Sequence, residues 1–216
     1  MRAAQRAGLK LSMGKYLVRP ASSKIPSGSS MNMELTRRDL SGRLVEISGY
    51  GPSALLTMAG RLVLEAQLEG EAVAWITTME SSFYPPDMEK AGVDLGAMAV
   101  VRCPEVRCAA KAVDRLARSG AFGLLILDLG GVMDLPLPLQ TRLAGLARTY
   151  DIALVFLTEK SEEAPSVSSL VSIRLMAERS SLDGVLFLCR AYALKDKMRG
   201  PGWSKEVACH GPPGLC

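Results

Sequence analysis

Aromatic side chains are scarce in this 216-residue chain: Phe, Trp and Tyr make up 5% of it. That scarcity argues against a base-stacking platform built on aromatic rings. No apolar run approaches the roughly 18 residues that a membrane-spanning helix needs. No signal-peptide pattern is present, and the expected compartment is the cytoplasm. The five cysteines, Cys103, Cys108, Cys189, Cys209 and Cys216, are odd in number and lack a framework spacing. A disulfide scaffold is therefore not expected, and a reducing compartment fits. Cys103-x₄-Cys108 with the single histidine, His210, falls short of the four closely spaced ligands of a zinc site. Two ordinary thiols, one at a strand end and one on a helix, are the expectation.

Charge excludes less. The net charge is +4 and the pI about 8.9, mildly basic, which is compatible with nucleic acid without indicating it. Hydrophobic content of 48% over 216 residues predicts one domain with a sizeable core. Met1 to Gly28 carries Arg2, Arg6, Lys10, Lys15 and Arg19 on little apolar pattern. It reads as a basic, flexible N-terminal arm, with a core domain over 29–216.

The chain is organised around Arg43 to Gln67. Arg43 to Ser48 is a short apolar strand. From about Ser53 to Gln67, Leu55, Met58, Ala59, Leu62 and Val63 follow helical spacing. Strand, Gly/Pro turn and helix is the setting of a phosphate-binding loop, G-x-x-x-x-G-K-[ST]. Counted from Gly49, that pattern meets Ala54, Leu55 and Leu56 at its Gly, Lys and Ser/Thr positions, with Thr57 next. A lysine–phosphate contact at ~4 Å is worth roughly 4 kcal/mol at an effective dielectric of about 20. Leucine supplies none of it and desolvates phosphate oxygens without pairing them. ATPase activity and a nucleotide cofactor are not expected.

Further strands are predicted over Ala72–Thr77, Met98–Arg102, Phe122–Asp128, Asp151–Leu157, Val171–Leu175, Val185–Tyr192 and Trp203–Val207. Amphipathic helices are predicted over Val106–Ser119 and Leu139–Tyr150. Arg37, Arg38 and Asp39 read as a polar turn before the first strand. Leu135, Leu137 and Leu139, with two prolines, are either an exposed docking segment or a strand-to-helix connection.

The stretch Arg43-Leu-Val-Glu-Ile47, with the helix that follows, resembles the core of the RecA ATPases. Ile25-Pro-Ser-Gly-Ser-Ser30, Lys90-Ala-Gly-Val-Asp94, Leu116-Ala-Arg-Ser-Gly120, Val171-Ser-Ile-Arg-Leu175 and Leu194-Lys-Asp-Lys197 are similar to segments of the same family. The resemblance runs from about Ile25 to Leu215, two loops excepted. It implies a RecA-like three-layer α/β fold, with a mostly parallel sheet and antiparallel C-terminal strands. By the same resemblance Asp128 stands at the Mg²⁺-orienting position, and Glu80 is displaced from the water-activating one. Glu159 replaces a γ-phosphate-sensing glutamine. The second DNA loop, Thr158 to Ser166, holds three glutamates in place of glycines, which repels a phosphate backbone. Lys195 and Lys197 match two lysines that reach a neighbouring subunit's ATP.

Within that family, Lys195 to Ser204 and Gly211-Pro-Pro-Gly-Leu215 resemble ImuA, a group of inactive RecA relatives of the bacterial mutagenesis cassette. That resemblance implies a nucleoid-associated accessory protein of damage-induced translesion synthesis. Its partners would be an ImuB-like polymerase relative, RecA and DNA phosphates, through Lys195, Lys197, Arg199, Lys205, Arg37 and Arg38. The alternative is a SulA-like inhibitor of the tubulin-like division protein.

Overall fold

The computed structural model describes residues 36–79, 83–131, 135–182 and 186–210. The basic arm, the segment from Ile25 to Ser30, Glu80 and the stretch from Gly211 to Cys216 lie outside the described residues. The elements run in the order α1 (Arg37–Leu40), β1 (Arg43–Gly49), α2 (Leu55–Leu68), β2 (Val73–Thr78), α3 (Pro85–Lys90), β3 (Met98–Cys103), α4 (Val106–Ser119), β4 (Leu124–Asp128), α5 (Leu137–Tyr150), β5 (Ala153–Glu159), β6 (Ile173–Ser181), β7 (Leu186–Asp196) and β8 (Ser204–His210). They form one eight-stranded sheet in the order β3-β2-β4-β5-β1-β6-β7-β8. The pairs from β3 through β6 are parallel, while β6–β7 and β7–β8 are antiparallel.

The parallel strands are near-continuous apolar runs because helices cover both of their faces. On one face α2 packs Met58, Leu62 and Val63 against Val45, Ile47, Trp75 and Ile126. On the other, α4 and α5 pack Val113 and Leu143 against Leu125, Leu127 and Phe156. The result is three layers, α/β/α. Helix α4 buries Ala109, Val113 and Ala117, one stripe at helical spacing, as its sequence pattern predicts. It stops at Gly120, whose φ of +64° favours glycine; a Cβ there would also sit 2.7 Å from the Tyr150 ring.

Three local expectations are corrected. Arg37-Arg38-Asp39 is not a simple polar turn but a helical turn, α1, begun by Thr36 in a capping box with Asp39. Asp151 does not open β5; it caps α5 in the left-handed conformation with φ 57°, and the strand starts at Ala153. The seventh strand extends to Asp196, so Lys195 lies on a strand. A one-residue bulge there sets Lys195 opposite Arg174 while Ala193 faces Leu175.

Candidate functional site

In a parallel sheet the C-terminal strand ends collect the residues able to meet a ligand. Here β1 delivers Gly49, β2 delivers Thr77, β4 delivers Asp128, and β5 delivers Thr158 and Glu159. The connection from Gly49 to Leu55 is packed by its own atoms. A Cβ at Gly49 would lie 2.8 Å from Ser53 Cβ and 3.1 Å from Leu55 Cβ. Ser53 N–H donates to Gly51 O at 2.8 Å, and Leu55 N–H donates to Ser53 Oγ at 3.4 Å. Pro52 has no N–H to offer. Thus one N–H of the first turn of α2, which an anion would otherwise draw on, is engaged by the chain itself.

The residues at the phosphate-binding positions are turned into the core. Ala54 is fully buried, Leu55 is nearly so, and Leu56 packs half-buried against the same cluster. The half-buried Thr57 hydrogen-bonds the Cys189 thiol on β7. Asp128 is buried at the end of β4, where it accepts from Thr77 Oγ1 at 3.4 Å and from Gly130 N–H at 3.3 Å. Glu159 is exposed at the end of β5.

Beneath this edge lies an arrangement that the sequence pattern does not single out. Glu46, in the middle of β1, is fully buried. A buried carboxylate needs charged and hydrogen-bonding partners. Lys160 Nζ lies 2.5 Å from one of its oxygens and Arg174 Nε 3.9 Å from the other. Thr158 and Ser166 hydroxyls donate to it at 3.0 and 2.6 Å, and Val167 N–H at 3.0 Å. Burial pushes the Glu46 pKa up, but the bonds from Lys160, Ser166 and Val167 outweigh it and hold the carboxyl below its ordinary range. Lys160 also donates to Pro165 O at 2.6 Å, and Arg174 to Ser161 O at 3.0 Å. Segment 160–168 is thereby tied over β1. Its cation, Lys160, faces away from the Gly49 turn and toward Glu46. The available signal was a glutamate at the centre of an otherwise apolar strand.

The candidate phosphate contacts separate. Arg37 is corrected: it is buried, with Nε 2.7 Å from Glu69 and Nη2 3.0 Å from Glu71, so its charge serves the junction of α1 and α2. Arg38 is exposed and reaches the same Glu69 at 3.1 Å. Lys205 lies on the α2 side of the sheet, 3.2 Å from Glu65. Lys195, Lys197 and Arg199 cluster at the other end of β1 from the Gly49 turn. There Lys197 N–H donates to Ser172 O, and Ser172 N–H to Leu44 O, both at 2.9 Å. Lys197 is exposed and Lys195 half-buried. Burial first, then the neighbouring charges of Lys197 and Arg174, lower the Lys195 pKa against the opposing pull of Glu46. Arg199 is ion-paired to Asp39 of α1.

Of the apolar segment, Leu135 is buried and Leu139 half-buried, and Leu137 alone is largely exposed. Its geometry is that of a strand-to-helix connection. Among the described residues no group of three or more His, Cys, Asp or Glu is placed to hold a metal. Among them, too, no helix is long and apolar enough to cross a membrane.

No protein-family model matches the chain. Curated relatives do. RecA of Chlorobium limicola is 36% identical over 87 residues, 40% of this chain and 25% of that protein. RecA of Mycolicibacterium gilvum is 35% identical over 113 residues, 51% of this chain and 32% of that one. RecA of Fusobacterium nucleatum is 28% identical over 141 residues, 56% of this chain and 37% of that one. The chain thus spans about a quarter to a third of the length of the curated relatives it matches. Partial similarity to RecA joins the three-layer architecture and mostly parallel sheet: the chain has a RecA-like α/β fold and a RecA-like relationship over about half its length.

Proposed function

We propose that this chain is a non-catalytic, nucleoid-associated RecA-like accessory protein of damage-induced translesion DNA synthesis, of ImuA type. The observation that carries the reading is the turn from Gly49 to Leu55. Ser53 fills it, and buried Ala54 and Leu55 with half-buried Leu56 stand where a glycine, a lysine and a hydroxyl would meet a triphosphate. With that chemistry gone, Asp128 has no Mg²⁺–nucleotide to orient, and Thr77 and Gly130 N–H satisfy it instead. Lys195 and Lys197 remain at the opposite end of β1. The protein then acts through its surfaces, on an ImuB-like polymerase relative, on RecA and on DNA phosphates. Lys195 and Lys197 engage the nucleotide site of a RecA protomer and limit filament growth.

Thermal unfolding with and without Mg²⁺–ATP tests the non-catalytic part. A ligand that binds the folded state at 100 times its Kd stabilises it by about 2.7 kcal/mol. The expected result is no rise in Tm at millimolar ATP. A rise, or hydrolysis abolished by Asp128→Asn, overturns the reading. Co-purification with an ImuB-like protein tests the partner, and failure to retain it under low salt counts against the ImuA assignment.

A further inference from the structure

Four described cysteines fall into two pairs, and each pair sits at an edge of the sheet. Cys103 ends the edge strand β3, and Cys108 lies in the first turn of α4; their thiols are hydrogen-bonded to each other. Cys209 lies on the other edge strand, β8. The register pairs Phe187 with Cys209 and Cys189 with Val207, so Cys189 and Cys209 are diagonal neighbours on one face of the β7–β8 ladder. Their thiols are hydrogen-bonded as well. In each pair one thiol is buried, Cys103 or Cys189, and its partner, Cys108 or Cys209, is half-exposed.

We propose that Cys103–Cys108 and Cys189–Cys209 are two oxidisable dithiols that close to disulfides when the protein meets a low-molecular-weight disulfide such as oxidised glutathione. The half-exposed thiol loses its proton and attacks one glutathione sulfur. A mixed disulfide forms and one glutathione thiolate leaves. The buried thiol then gives up its proton and attacks the Cys108 or Cys209 sulfur, expelling the second glutathione. Each pair loses two protons and two electrons, and one oxidised glutathione becomes two reduced ones. The order follows from exposure and acidity. Burial, then the adjoining thiol, pushes Cys103 and Cys189 up to about 11, which makes them poor first nucleophiles. The contact with its partner sulfur makes each a proximate resolving thiol. Closing Cys189–Cys209 fastens β8, which carries Lys205, to β7 beside α2. Closing Cys103–Cys108 fastens β3 to α4.

The native full-length protein is incubated with oxidised glutathione, alkylated and mapped by non-reducing peptide mass spectrometry. The expected products are the two intramolecular cross-links, each lighter by two hydrogens, and amide exchange in β8 slowed about tenfold or more. Cys189→Ser is expected to leave Cys209 as a stable glutathione mixed disulfide. Should that variant misfold, the map of the parent protein decides alone. Mixed disulfides at Cys108 and Cys209 without cross-links, cross-links to Cys216 instead, or no reaction each overturn the proposal. Each pair stands or falls on its own cross-link.

Discussion

The two ends of β1 have opposite characters. At the C-terminal end, Gly49 to Leu55 closes on itself, with Ser53 packed against Gly49 and Leu55 turned into the core. At the N-terminal end, Lys197 stays exposed next to Lys195 and the Arg199–Asp39 pair. One end holds apolar side chains where a nucleotide loop carries charge. The other presents cations where a partner can reach them. A fold can therefore keep its frame while the two ends of a single strand are put to different uses, and fold alone does not fix function.

Glu46 lies between these ends and gives the sharpest way to separate them. Glu46→Ala leaves Lys160 and Arg174 buried without their carboxylate, and about 3–5 kcal/mol of stability is expected to be lost. Urea unfolding measures it. A loss under about 1 kcal/mol would mean that segment 160–168 is not anchored through Glu46. The same carboxylate has a pH signature. Its pKa in the folded state lies below the ordinary 4.5, so its contribution is complete above that value and fades as pH falls through the folded one. The stability gap between parent and Glu46→Gln should be full at neutral pH and narrow in acid below about 4.5. A gap that widens on acidification contradicts the ion-pair account.

The basic end is expected to respond more weakly. Lys195→Ala with Lys197→Ala should reduce the effect on RecA at least tenfold, about 1.4 kcal/mol, with Tm little changed. Arg199→Ala removes a partly exposed bridge to Asp39 and should cost at most about 1 kcal/mol, less in high salt. A larger, salt-insensitive loss would make that end part of the structural frame, and the contrast between the two ends would fail.

Much of the frame was legible in the sequence because apolar periodicity reports burial directly. Helix α4 has its predicted bounds, and β1 and β3 end within a residue of theirs. The strand–turn–helix around Gly49 was legible too, since a five-residue Gly/Pro connection separates two unlike periodicities. Partner geometry was not. Arg37 and Arg38 are adjacent and chemically alike, yet α1 turns the first onto Glu69 and Glu71 in the interior and leaves the second outside. Glu46 finds its partners at positions 158–174, more than a hundred residues away, and pattern within a window carries no trace of that. Lys195 falls beyond the strand that periodicity predicts, because the bulge that keeps it on β7 depends on pairing with β6.

The central claim is that one end of the molecule has lost a nucleotide site while the other still engages one. Its most direct test is RecA filament length on single-stranded DNA with ATP, imaged with this protein far below one per RecA. The account predicts markedly shorter filaments and reduced ATP hydrolysis with the parent protein, and near-normal ones with the Lys195→Ala, Lys197→Ala variant. Filaments of unchanged length with the parent, or equal shortening by parent and variant, would contradict it.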